Sequence, residues 1–253
     1  MNRRWVVACA VAEMVGMTAA AAAARTATTL AERGVANAAA WGLTVVIVGG
    51  VVEGAALGWL QARALEGVLD VSARRRWGLV TVLVAGLGWA FASAPAIVGG
   101  DGAGDQPPLA LVLLGALALG GVMGAVLGAA QASALRGRVR HPGTWIAGSA
   151  VGWAAAMPII FVGATGVGAT WPWPLVVLTG TVTGLVAGAV LGLVTRPFLQ
   201  SVFGHPEHRG SRRRGRPAPL GTGPRTQEVG TSAPADRQAV RMEWAEPTTK
   251  EMP

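Results

Sequence analysis

Long uncharged stretches are the feature that most constrains this chain. No Asp, Glu, Lys or Arg occurs from Pro142 to Thr195, and residues 77–100 and 106–135 are uncharged as well. A helix needs about 20 mostly apolar residues to cross the hydrocarbon core of a bilayer. A soluble domain rarely combines 52% hydrophobic with 13% charged residues. The sequence therefore predicts an integral membrane protein whose partner is the lipid bilayer.

The apolar segments predict an all-α fold, a polytopic membrane helical bundle with six transmembrane helices. Together they predict a transmembrane domain over residues 1–199, followed by a disordered basic tail over residues 200–253. The expected spans lie near residues 5–24, 40–65, 76–98, 108–135, 143–165 and 172–196.

Arginines mark alternate connections between the spans. Arg74–Arg76 and Arg136 lie on one side with the basic tail, whereas Asp101 and Asp105 lie on the other. Basic residues beside spans favour the cytoplasm. We therefore expect a multi-pass protein of the plasma membrane with both termini in the cytoplasm, and anionic lipid as a partner of the tail.

The N-terminus has an alternative interpretation as a signal peptide. MNRR would be its basic region, Trp5–Met17 its apolar core and the alanine run its cleavage region. Glu13 inside that core argues against cleavage, and so does the internal repeat.

Internal similarity predicts three tandem helical hairpins. Residues 50–65 (GVVEGAALGWLQARAL) align with residues 120–135 (GGVMGAVLGAAQASAL), both containing Gly-x-x-x-Gly-x-x-Gln, and the last span offers Gly188-x-x-x-Gly192 before Thr195. Each odd-numbered span starts with a tryptophan. Glycines four residues apart lie on one helix face and let helix backbones approach closely in lipid. The tryptophans at span ends are expected to be interfacial anchors: Trp5, Trp77, Trp145, Trp171 and Trp173.

These motifs, together with Gly-Trp-Ala at residues 88–90 and 152–154, resemble a group of uncharacterised bacterial multi-spanning membrane proteins. The resemblance covers roughly residues 1–197. The repeats of that group typically continue the glutamine with tryptophan, where this chain has Ala62 and Ala132. The resemblance implies the hairpin architecture and a bacterial origin, and it implies no activity.

Two acidic residues, Glu13 and Glu53, lie well inside the predicted spans of the first hairpin. The other hairpins align Ala85 and Ser149 with Glu13, and Met123 and Ala187 with Glu53, so the scaffold does not require an acid. An ionised carboxylate at the bilayer centre costs at least ~2.5–3.5 kcal/mol. We therefore expect one or both to be protonated and to form an intramembrane proton or ion site; the alternative is a structural hydrogen bond.

Gln61 and Gln131 lie one turn inside the ends of their spans and are expected to bond to neighbouring helices. No catalytic, cofactor-binding or phosphate-binding motif is present, so we expect no enzyme, no cofactor and no nucleic-acid partner. His205 and His208 are a weak metal motif in the tail, and no metal is expected.

Two functions remain open from the sequence. The first is a small ion- or proton-coupled transport protein that uses Glu13 and Glu53. The second is a non-catalytic membrane scaffold or regulator, which associates with itself or with a membrane partner through glycine-rich helix faces.

Overall fold

The computed structural model describes residues 2–98, 107–139, 141–166 and 170–204. Within these ranges six helices are each long and apolar enough to cross a membrane. The predicted all-α polytopic fold is confirmed, and the protein is a multi-pass membrane protein. The basic tail from residue 205 on, with His205 and His208, lies outside the described residues. The helices are α1 (Asn2–Glu32), α2 (Ala38–Ala64), α3 (Val71–Val98), α4 (Leu109–Leu135), α5 (Pro142–Thr165) and α6 (Trp173–Phe203).

Three helix boundaries differ from the sequence prediction. Helix α1 continues beyond residue 24 to Glu32, because alanine favours helix and neither glycine nor proline occurs between residue 24 and Gly34. Helix α3 begins before residue 76, since Asp70 accepts the backbone N–H of Ala73 at 2.9 Å and caps the helix. Helix α6 continues through residues 197–203, which include the predicted start of the tail.

The α2–α3 and α4–α5 turns are joined by an ion pair. Both guanidinium donors Nε and Nη2 of Arg138 bind Asp70 Oδ2, at 2.9 and 2.6 Å. The hydroxyl of Ser72, the N–H of Ala73 and this guanidinium together hold the pKa of Asp70 well below its usual value. Gly67 and Gly137 give both turns a residue with positive φ, at +83° and +73°.

The helices form a closed ring, because each packs against its neighbours in the sequence and α6 packs against α1. Glycine grooves bring α2 against α3, α4 against α5 and α6 against α1. A Cβ added to Gly54 on α2, Gly124 on α4 or Gly188 on α6 would lie 2.7 Å from a Cβ of the facing helix. The facing residues are Ala85 on α3, Trp153 on α5 and Glu13 on α1. The lack of a side chain at these glycines therefore allows the close antiparallel helix contact that the sequence pattern predicted.

Two buried layers fill the interior of the ring. One lies at the end of the bundle that holds Trp5, Trp77 and Trp145, which we name the tryptophan end. The other lies nearer the middle and contains Leu57, Leu127 and Leu191 from the even-numbered helices. The prediction that Trp5, Trp77 and Trp145 anchor the interface is wrong: they are 0–2% exposed and face the interior, where each indole N–H finds a polar partner.

Candidate functional site

Glu13 lies in the interior of the ring on the face of α1 that packs against α6. Its Cβ lies against Gly188, and its backbone carbonyl lies against Gly184. The residue is 0% exposed. Both carboxyl oxygens are buried without a hydrogen-bond partner among the described residues. Buried polar groups are nearly always paired, so this carboxyl is the most unusual group in the described part of the chain.

Glu53 approaches Glu13 from helix α2. It is 7% exposed, and its Oε2 accepts a hydrogen bond of 2.7 Å from the indole Nε1 of Trp89 on α3. Its side chain packs on Gly16, where an added Cβ would lie 2.8 Å from Glu53 Cβ. Because Gly16 is three residues after Glu13, the Glu53 side chain meets α1 about one helical turn from Glu13.

On α3 and α5, other residues occupy the position that is equivalent to that of Glu13 on α1. Trp153 against Gly124 and Ala85 against Gly54 occupy the position that Glu13 has against Gly188. The alignment of Ser149 with Glu13 is therefore wrong by one helical turn, because α5 has fewer residues between its first tryptophan and Gly-Trp-Ala than α3 has.

Glu53 also has an apolar counterpart. The methyl carbon of Met123 on α4 lies against Gly88 on α3, as Glu53 lies against Gly16 on α1. The same packing position thus accepts a thioether, and the carboxyl group of Glu53 is not needed for close helix contact.

A buried hydrogen-bond network occupies the tryptophan end. Gln61 Oε1 accepts from Trp77 Nε1 and from Gln131 Nε2, both at 3.1 Å. Gln131 also donates to Thr81 Oγ1 at 2.9 Å and accepts from Trp145 Nε1 at 3.0 Å. Gln61 Nε2 also donates to Cys9 Sγ on α1 at 3.6 Å. The structure therefore brings the two predicted glutamines into one network that joins five helices, α1 to α5.

The third indole completes this arrangement. Trp5 Nε1 donates to Thr195 Oγ1 at 2.9 Å, so threonine fills the place that glutamine has on α2 and α4. The Trp5 ring lies 6.5 Å from Trp77 and 5.6 Å from Trp145, and the last two are 5.3 Å apart. These separations are typical of interacting aromatic pairs. Three indole rings in mutual contact fill the centre of the bundle at the tryptophan end.

A cavity of about 390 Å³ lies farther from the tryptophan end than Glu13 and Glu53, which we name the carboxyl pair. Helices α1, α5 and α6 supply most of its lining, and Trp89 reaches it from α3. Met17, one turn beyond Glu13, also lines it, and so does Arg25. Trp89 lines the cavity and its indole N–H donates to Glu53, so this side chain connects the cavity lining to one of the two acids.

The chemistry of the pair fits a proton better than a metal ion. No group of three or more His, Cys, Asp and Glu side chains gathers within the described ranges. A calcium ion takes six to eight oxygen ligands, whereas Glu13 and Glu53 offer two carboxyl groups, one of them bonded to Trp89. A carboxyl group can bind and release a proton without further ligands.

Comparisons of the chain with protein-family models, with curated proteins and with solved structures find no match. The resemblance to uncharacterised bacterial membrane proteins stays a prediction, and so does the absence of enzyme activity.

Trp89 and the cavity are parts of the site that the sequence did not predict. In the sequence, Trp89 stands out only as part of the Gly-Trp-Ala motif at residues 88–90. The signal available was its distance from the span end, because a tryptophan deep in a span needs an acceptor for its indole N–H. The cavity had no sequence signal, since α1, α5 and α6 come together only through ring closure.

Proposed function

We propose that the protein is a small proton-coupled transport protein in which Glu13 and Glu53 bind the proton. The observation that carries this proposal is the unpartnered carboxyl group of Glu13. As an anion it would be an unpaired charge in an apolar interior, which costs at least ~2.5–3.5 kcal/mol. Glu13 therefore holds a proton in this arrangement. Losing that proton requires water or a rearranged partner, so protonation and conformation are coupled.

The surroundings of Glu13 and Glu53 support a proton path that is open toward the cavity and closed toward the tryptophan end. The cavity reaches Trp89, which binds Glu53, and Glu53 packs on Gly16, one helical turn from Glu13. The indole rings and the glutamine network fill the opposite end. A proton that arrives through the cavity meets Glu53 first and then Glu13. Release to the other side requires separation of the indole rings, which is the change that alternating access needs.

The direction of the path follows from the arginines. We infer that the tryptophan end faces the cytoplasm, because Arg63, Arg74–Arg76 and Arg136 lie there beside the spans. The termini are then cytoplasmic and the cavity opens to the outside of the plasma membrane. The structure that we describe corresponds to the state closed to the cytoplasm.

Proton flux into liposomes tests the proposal. Purified protein is reconstituted with a pH-sensitive dye inside, and a pH gradient is applied with the membrane potential clamped. We expect flux in the unmodified protein and at least about tenfold less in Glu13→Gln and in Glu53→Gln, since glutamine cannot carry a proton. Glu66→Gln is the matched control, because Glu66 is an exposed acid at the tryptophan end. Unchanged flux in Glu13→Gln would refute the proposed role.

Infrared difference spectroscopy separates proton binding from transport. The carbonyl stretch of a protonated carboxyl group is recorded while the bulk pH is raised. We expect a band in the unmodified protein that Glu13→Gln removes and Glu66→Gln leaves in place. A protein that shows the band and no flux binds the proton without conducting it, which points to a co-transported substrate that the liposomes lacked.

The scaffold alternative has less support from the structure. Its motivation was glycine-rich faces open to a partner, yet Gly54, Gly124 and Gly188 are covered by facing helices of the same chain. Those faces are already used to close the ring. Association with a second copy or with another membrane protein stays a prediction from the sequence.

A further inference from the structure

A second cavity, of about 610 Å³, lies on the outer surface of the bundle between α2 and α3. We name it the α2–α3 groove. Its floor is backbone, because Gly58 and Gly78 bring the two helices together: a Cβ added to Gly58 would lie 2.9 Å from the Gly78 carbonyl oxygen. Its walls are apolar and include Ala55, Leu79 and Val82. The groove is therefore a smooth apolar trough on the lipid-facing side of the ring.

Arginines line the end of the groove nearest the tryptophan end. Arg63, Arg74 and Arg75 lie there with a single acid, Glu66. One nitrogen of Arg74 donates to Glu66 at 3.0 Å, whereas its Nε is buried and has no partner among the described residues. The Arg63 guanidinium carbon lies 5.6 Å from the centre of the Trp59 ring. The groove thus ends in excess positive charge with an unused buried donor.

We propose that the α2–α3 groove binds one anionic phospholipid, with its phosphate held by Arg63, Arg74 and Arg75. Guanidinium groups bind phosphate in a bidentate geometry, and several together at the membrane surface attract acidic headgroups. One acyl chain lies in the apolar trough, and Trp59 (61% exposed) stands at headgroup depth, as interfacial tryptophans do.

The trough makes the ligand a lipid rather than a free phosphate ion. From Arg63 back to Ala55 helix α2 rises roughly 12 Å, and the lining over that distance is apolar. A small phosphate compound would leave this surface bare, whereas a phospholipid places its phosphate on the arginines and its hydrocarbon on the trough.

The equivalent groove between α4 and α5 lacks the same groups. Counting from the glutamine, Ala129 and Ser133 take the places of Trp59 and Arg63. Counting from the first tryptophan of the next helix, Pro142 and Gly143 take those of Arg74 and Arg75. Close packing of an even-numbered helix on the next odd-numbered one therefore does not need these arginines, and they are a local addition to the α2–α3 groove.

Native mass spectrometry of the purified full chain tests the proposal. Delipidated protein is titrated with phosphatidylglycerol and, separately, with phosphatidylcholine carrying the same acyl chains. We expect one tightly bound phosphatidylglycerol and at least tenfold weaker binding of phosphatidylcholine. Arg63→Gln/Arg75→Gln should weaken phosphatidylglycerol binding by about 10- to 30-fold. Arg76→Gln should change it less than twofold, because Arg76 lies in the same helical turn and outside the groove.

Three results would overturn the proposal: equal binding of the two lipids, equal losses in the Arg76→Gln and Arg63→Gln/Arg75→Gln proteins, or displacement of the lipid by millimolar glycerol phosphate. The last would mark a site for free phosphate. Leu79→Glu provides a second variant at a 65% exposed position, if the double arginine variant does not fold. Its carboxylate repels the lipid phosphate and occupies the trough, so we expect a loss of at least tenfold, and unchanged binding would also overturn the proposal.

Discussion

Replacing Gln131 by leucine tests whether the buried network stabilises the bundle. The side chain is 1% exposed and takes part in three hydrogen bonds, to Gln61, to Thr81 and from Trp145. Interhelical hydrogen bonds in membrane proteins average ~0.6 kcal/mol each and reach ~1.7 kcal/mol. Three bonds give about 2 kcal/mol. Leucine keeps most of the volume but leaves the Trp145 indole N–H without its acceptor, so we expect a loss of about 2–3 kcal/mol.

Reversible unfolding in mixed detergent micelles measures this loss. Gln200→Leu is the control, because Gln200 lies near the end of α6 beyond the network. A double-mutant cycle with Gln61→Leu isolates the bond between the two amides, and we expect a coupling energy of about 0.6 kcal/mol or more. A stabilising role of the network is refuted if the unfolding free energy of Gln131→Leu lies within about 0.5 kcal/mol of that of the unmodified protein, which is the usual spread of surface substitutions. It is also refuted if the effects of the two substitutions are additive.

Two further outcomes follow from the described contacts. Gly16→Ala should lower the unfolding free energy by ~1–3 kcal/mol and reduce proton flux, since its Cβ would overlap the Glu53 side chain; Gly115→Ala, which meets no neighbour within 4 Å, should do neither. Asp70→Asn should lower the unfolding midpoint by a constant amount from about pH 8 to 5, and the difference should shrink progressively as the pH falls below about 4 toward the lowered folded-state pKa. A carboxyl group whose pKa is lowered by folding contributes stability that is fully present at pH values above its unfolded-state pKa of ~3.9. That stability is lost as the folded protein binds the proton at lower pH. A midpoint difference that grows on acidification would contradict the Asp70 contacts.

The six spans could be predicted from the sequence because span length is set by bilayer thickness. Apolar runs of the required length occur six times, and the structure has a helix at each. Helix ends depend on individual hydrogen bonds instead. The Asp70 cap extends α3 into a segment that hydropathy assigns to a loop.

The two acids of the candidate site could also be found in the sequence, because carboxyl groups inside spans are rare. Their environment could not. Glu13 is enclosed by α6, and the closure of α6 on α1 depends on the whole ring rather than on local pattern. Residue spacing shows which positions share a helix face, but it does not show which distant helix covers that face.

The tryptophans illustrate a different limit. A tryptophan at a span end suits either the lipid headgroup region or a polar interior, and sequence position does not separate the two. The separating signal was present in the even-numbered helices: Gln61, Gln131 and Thr195 each offer an acceptor at the matching depth. The indole N–H donors of the odd-numbered helices and the acceptors of the even-numbered helices, taken together, predict that the indoles face the interior.

The contacts that are repeated in all three helix pairs and those that are not lie in different parts of the bundle, and this difference indicates where the function lies. At the tryptophan end, the three helix pairs share one arrangement, in which an indole N–H meets a polar side chain of the preceding helix in the ring. Around Glu13 and Glu53 the pairs differ, since alanine and tryptophan occupy one set of equivalent places. A closed, repeated network suits a structural seal, which tolerates no missing partner. Glu13, whose carboxyl group has no partner among the described residues, lies where the three helix pairs differ, one turn from the cavity-lining Met17. Coupling of protonation to movement is chemically possible at this place.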